Sequence, residues 1–113
     1  MHEMSLAESV IELVEYRARR NGSTRIKTVR LEIGKLSGVE PDAMRFCFDA
    51  VASGTLAEGA ALDIIEQEGL AWCFDCSLST PLASRSDPCP ECGGYRMRLD
   101  EGLAMRVKEL EIE

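Results

Sequence analysis

Two Cys-x-x-C pairs carry the clearest chemistry in this chain. Cys73-Phe74-Asp75-Cys76 and Cys89-Pro90-Glu91-Cys92 are separated by twelve residues, Ser77 to Pro88. Each pair can form a tight knuckle that aims two thiolates at one point. Two knuckles together make a tetrahedral all-thiolate site, a preferred arrangement for structural zinc. Gly93-Gly94 follows the second pair and relieves backbone crowding there. Iron in the same cage and a redox dithiol are the competing uses of such thiols. The redox use is disfavoured because neither pair sits where a strand feeds a helix. The other chemically capable group is His2, the only histidine in the chain. It stands directly after Met1, where chains ordinarily fray, and taken alone it reads as a chance residue on a loose tip.

Composition bounds what this chemistry can serve. The chain has 113 residues, 45% hydrophobic and 29% charged, an ordinary globular mix for one domain, or one domain with a small appended module. Twenty acidic side chains against 13 basic ones give a formal charge of −7. That balance argues against a nucleic-acid or anionic-membrane binder, whose affinity comes from neutralising phosphates. No apolar run is long enough to span a bilayer, so no membrane insertion is expected. The N-terminus lacks a basic stretch followed by an apolar core, so no secretory signal is expected and the cytoplasm is the expected compartment. Five cysteines in a reducing compartment then read as metal ligands rather than disulfides.

The elements that must position these groups are legible from periodicity. Ser5-Leu6-Ala7-Glu8 has the form of a capping box, and Leu6, Val10, Leu13 and Val14 share one helical face. Asn21-Gly22 is a stop signal, so a helix is predicted from Leu6 to Arg20. Lys27 to Ile33 alternates, with Val29, Leu31 and Ile33 facing inward as a half-buried strand. Gly34 to Gly38 reads as a loop. Pro41 suits a first helical position, after which Met44, Cys47, Phe48 and Val51 repeat at helical spacing and Ser53-Gly54 ends the run. Leu62 to Glu66 is a short strand candidate.

From Leu70 to Leu99 no periodicity is evident, and Pro88, Pro90, Gly93 and Gly94 crowd the second cysteine pair. Alternation returns at Leu103, Met105 and Val107, then again in shifted phase at Leu110 and Ile112. The slip at Glu109 suggests a β-bulge or bend. The expected fold class is mixed α/β (α+β): a small sheet domain with two helices, residues 1–69 and 100–113, carrying an inserted zinc-ribbon-like four-cysteine module, residues 70–99. About 30 residues bury too little apolar surface to offset chain entropy, so a metal is needed to fold the module.

Zinc ribbons often bind nucleic acid. Here Arg85, Arg96 and Arg98 are matched by Asp75, Asp87 and Glu91, before the four thiolates add further negative charge, and there is no basic stripe and little aromatic stacking surface. Cys47 lies on the apolar face of the second helix and reads as a small buried hydrophobe. Glu40, beside Pro41, reads as a solvated loop acid. No catalytic triad, phosphate loop or paired-carboxylate site is visible, so no enzyme is expected.

The Met-His-Glu start, the stretch VRLEIGKLSGVEPDAMRFCFDAVASGT, the paired C-x-x-C module and the closing VKELEIE strand, taken in order over the whole chain, resemble the hydrogenase nickel-incorporation family, HypA/HybF. The resemblance implies a nickel metallochaperone for nickel–iron hydrogenase maturation. It implies a nickel-handling GTPase and the hydrogenase large-subunit precursor as partners, and an α/β nickel domain carrying a zinc domain. His2 matches the family's nickel ligand and Glu3 the neighbouring acidic position that supports it. Cys73, Cys76, Cys89 and Cys92 match the structural zinc ligands. Glu40 occupies a place where some members carry an aspartate that contributes to nickel, and it is longer by one methylene. The alternative use of the same features is a zinc-ribbon adaptor that bridges proteins or nucleic acid. Self-association into a homo-oligomer is left open.

The chemistry agrees with the resemblance. Imidazole suits nickel, as do amine and amide nitrogens. A histidine at position 2 lets the Met1 terminal amine, the His2 amide and the His2 ring chelate one Ni2+. Few ligands at an accessible terminus favour exchange, whereas a four-thiolate cage favours retention of Zn2+.

Overall fold

A computed structural model describes residues 2–113. The first helix, α1, runs Glu3–Arg20. Ala7, Val10, Ile11, Val14 and Ala18, spaced three and four apart, form its buried stripe. Its end follows the expected stop: Asn21 is the C-cap and Gly22 takes φ +73°. Its start does not. The helix begins at Glu3, with His2 as the N-cap and the His2 carbonyl accepting from the Leu6 amide at 2.8 Å, so Ser5 and Glu8 lie inside the helix. The reason is tertiary. The Glu3 carboxylate is held by the Glu40 amide at 3.2 Å, which fixes a first turn the capping box would have excluded. Leu13, expected on the core face, is 37% exposed, and Ile11 fills its place at 3%.

Strand β1, Ile26–Gly34, buries Val29, Leu31 and Ile33 as its alternation requires. Helix α2, Pro41–Ala52, buries Met44, Cys47, Phe48 and Ala52 and stops at Ser53, before Gly54 with φ +80°. Strand β2, Ala61–Gln67, pairs parallel with β1, which makes α2 the crossover a parallel pair needs. Both helices pack on the face that carries Val29, Leu31 and Ile33, forming the larger core.

Three short strands follow. They are β3, Gly69–Cys73, β4, Leu78–Leu82, and β5, Met97–Glu101, in an antiparallel sheet of order β4-β3-β5. Sequence periodicity showed none of them, because each strand is five residues long and β3 ends in a knuckle cysteine. The last strand, β6, Met105–Ile112, returns to pair antiparallel with β1 and completes a sheet of order β2-β1-β6. Leu103 lies outside β6 and is 37% exposed. The expected slip is real and sits one residue earlier than Glu109. Arg30 pairs with Glu109 and Leu31 with Val107, leaving Lys108 as the extra residue.

The second sheet has a small core of its own: Leu36, Ala71 and Leu82, with Met97 and Leu99 packed against them. Leu36 comes from the turn after β1, so the segment leaving the first sheet contributes a side chain to the second. The crossing point is glycine. The amides of Gly34, Lys35 and Leu36 donate to the carbonyls of Ala104, Gln67 and Gly102 at 2.9, 2.9 and 2.8 Å. A Cβ on Gly34 would lie 2.1 Å from the Gly102 oxygen, so only glycine allows these chains to meet. The molecule is elongated, 53 × 25 × 16 Å. Among the described residues, no helix is long and apolar enough to cross a membrane.

Candidate metal centres

The two knuckles are built alike. Cys73 ends β3, and the chain turns so that Ser77 N–H donates to the Cys73 carbonyl at 2.8 Å. In the second knuckle Gly93 N–H donates to the Cys89 carbonyl, also at 2.8 Å. The residue after each second cysteine takes the left-handed conformation, φ +55° at Ser77 and +73° at Gly93. Glycine adopts it freely; serine bears a steric cost. Sequence analysis singled out Gly93 and missed Ser77, although its place one residue beyond Cys76 carried the signal.

The knuckles face one another. Cys73 Sγ lies 3.7 Å from Cys92 Sγ, and Cys76 Sγ lies 3.9 Å from Cys89 Sγ. All four sulfurs lie within 4.8 Å of one another. A tetrahedral zinc with bonds of about 2.3 Å requires sulfurs about 3.8 Å apart, so the cage fits that ion. Titration chemistry leads the same way. The Cys92 N–H, then the Glu91 N–H, pull the Cys89 thiol down to about 7. The Cys76 thiol is pushed well up, first by its hydrogen bond with Cys92 and then by burial. Thiols this close resist losing all four protons unless a cation offsets the charge, and zinc supplies that charge. Arg96 Nη1 braces the first knuckle through Asp75 Oδ1 at 2.8 Å, and Phe74 N–H bonds to the Arg96 carbonyl at 3.0 Å. Among the described residues, this is the cluster of three or more metal-ligating side chains.

The second centre gathers where the two helices start. His2 is exposed at the N-cap of α1, and Glu3 is buried in the first turn behind it. The Glu3 carboxylate is held below the usual carboxylate range, first by the Glu40 N–H and then by its own backbone N–H. Glu40 is not the free loop acid its setting suggested. It is the N-cap of α2, and its Oε2 accepts from the Ala43 amide at 2.8 Å. Pro41 at the first helical position leaves that cap uncontested. The fold thus brings Glu3 and Glu40 together, with His2 one residue away. Met1, whose amine the chelate chemistry offers as a donor, lies outside the described residues. Cys47 is buried at 4% in the larger core, as expected of a small hydrophobe.

Comparison with known proteins gives these centres a context. The profile of the family "Hydrogenase/urease nickel incorporation, metallochaperone, hypA" matches residues 1–112. The hydrogenase maturation factor HypA of Bradyrhizobium sp. (strain ORS 278) is 54% identical over 113 residues, all of both chains. That of Rhodopseudomonas palustris (strain BisB5) is 53% identical over the same span. The solution structure of the Ni metallochaperone HypA from Helicobacter pylori superposes with a TM-score of 0.69 at 28% identity, covering 99% of this chain and 97% of that one. With a full-length profile match, relatives at more than half identity and a four-cysteine cage fitted to zinc, the chain belongs to the HypA family of nickel-incorporation metallochaperones.

Proposed function

We propose that nickel, the cargo of this hydrogenase-maturation metallochaperone, is carried at the extreme N-terminus. The Met1 amine, the His2 amide and the His2 ring chelate it, and Glu3 supports the site from behind. The observation that carries this reading is the bond from the Glu40 amide to the Glu3 carboxylate. It ties the first turn of α1 to the start of α2, so His2 stands on an anchored residue while its own side chain remains exposed. Ligands on an anchored but accessible tip bind an ion and let an acceptor take it. Glu40 acts through its cap and its amide; its carboxylate is engaged with Ala43, which argues against a role as a nickel ligand.

Residues 1–69 and 100–113 serve as the nickel domain and residues 70–99 as the zinc module, which retains its metal as a structural ion. The protein works in the cytoplasm, without catalysing a reaction itself, and passes nickel on with a GTPase of the maturation pathway to the hydrogenase large-subunit precursor. The test is a nickel titration with zinc analysis on native protein, on His2→Ala and on protein extended ahead of Met1. The expected result is one transferable nickel per native chain, residual weak binding in the extended form, loss in His2→Ala, and unchanged zinc throughout. Equal nickel affinity in all three forms would place the cargo elsewhere.

A further inference from the structure

The four cysteines of the cage are not equally protected. Cys73 and Cys89 are buried, Cys76 is intermediate and Cys92 is exposed. Gly94 contributes to that exposure. A Cβ at position 94 would lie 3.4 Å from Cys92 Sγ, and glycine leaves the approach to the sulfur open. All four sulfurs lie within 4.8 Å of one another, and Cys73 Sγ, on the other knuckle, lies 3.7 Å from that sulfur. Among thiols of one cluster, an oxidant reaches the accessible one first. Cys92 combines accessibility with a resolving partner.

We propose that Cys92 is a peroxide modification site, resolved by Cys73 to a disulfide across the two knuckles that releases zinc. The inference rests on the zinc reading of the cage. In the first step the Cys92 thiolate attacks the O–O bond of hydrogen peroxide. An S–O bond forms, hydroxide leaves and takes a proton to become water, and the sulfur becomes a sulfenic acid. In the second step the Cys73 thiolate attacks the Cys92 sulfur, an S–S bond forms, and hydroxide leaves to become a second water. Two thiolates, two protons and one peroxide thus give one disulfide and two waters, the thiolates having lost two electrons to the peroxide. The sulfurs must close from 3.7 Å to about 2.05 Å. Cys76 and Cys89 are left as two ligands, too few to retain zinc against a chelator.

The test uses the native zinc protein, with zinc content measured first. One equivalent of hydrogen peroxide is added, zinc release is followed with a chromogenic chelator, and the disulfide that forms first is mapped by mass spectrometry. Cleavage before Asp75, after Arg85 and after Glu91 places Cys73, Cys76, Cys89 and Cys92 on four separate peptides, so the pairing is read directly. The expected result is a Cys73–Cys92 disulfide appearing together with zinc release, while buried Cys47 stays reduced. A first disulfide within one knuckle or between Cys76 and Cys89, or Cys92 oxidised further with Cys73 still free, overturns the proposal. Purified protein without zinc overturns the zinc reading itself, before any oxidant is added.

Discussion

The Glu3 carboxylate accepts the Glu40 amide at 3.2 Å, while the Glu40 carboxylate accepts the Ala43 amide at 2.8 Å. Two residues 37 positions apart thereby hold the first turns of both helices in one place. Glu3→Ala removes the tie, so the first turn of α1 frays and amide protection of Leu6 and Ala7 falls. A supporting group of this kind behaves like an outer-sphere partner of a metal, and its loss is expected to weaken nickel binding about 10-fold or more. Glu3→Gln keeps an acceptor and retains most of the affinity. Undiminished binding in Glu3→Ala would separate the tie from the cargo.

Glu40→Ala removes a helix cap rather than a ligand. It should cost about 0.5–1 kcal/mol of stability in denaturant unfolding and leave the number of nickel ions bound unchanged. A lost nickel equivalent in Glu40→Ala at full stability would make the carboxylate a ligand after all.

Acid should release the cargo before it loosens the fold. The Glu3 carboxylate is held below its ordinary value of 4.5, so its contribution to stability is fully present above that value and is lost only as pH falls through the lowered one. Nickel binding releases protons from its nitrogen donors, so protons compete with the metal for them. Nickel affinity measured from about pH 8 to about pH 5.5 should therefore fall while α1 stays folded by amide exchange. Simultaneous loss of both would tie release to unfolding.

Zinc removal should act locally. The second sheet buries only Leu36, Ala71 and Leu82, with Met97 and Leu99 alongside, whereas the first sheet has both helices over it. Cys73→Ala, or a strong chelator, should abolish amide protection in β3, β4 and β5 and preserve it in β1. Retained protection throughout would mean that the small core suffices without a metal.

The two knuckles offer a matched pair of backbone tests. Ser77→Gly relieves a left-handed serine at φ +55°, and Gly93→Ser creates one at φ +73° where no atom would touch the new Cβ. The first should stabilise the module by up to about 1 kcal/mol and the second destabilise it by about the same, read as opposite shifts in chelator resistance. Shifts of the same sign would show that serine's side chain matters more than its backbone.

What the sequence determined by itself is what local chemistry decides. Helix stripes, the alternation of β1 and the Asn21-Gly22 and Ser53-Gly54 stops depend on residues a few positions apart, so they were visible as spacing. The pairing of each cysteine with its C-x-x-C mate is equally local. Tertiary structure decided everything that depends on long-range contact. Helix α1 starts at Glu3 because an amide 37 residues away satisfies its carboxylate, a bond that no capping pattern encodes. Glu40 became a cap in the same junction. The strands of the second sheet form on only a few apolar residues, one of them Leu36 from the turn after β1, so their own periodicity was too weak to read. Gly34 is indispensable only because Gly102 meets it across the crossing of the two sheets. Spacing likewise brought four thiols into one neighbourhood. It took the facing of the knuckles to set Cys92 against Cys73 and leave one cysteine of the cage exposed.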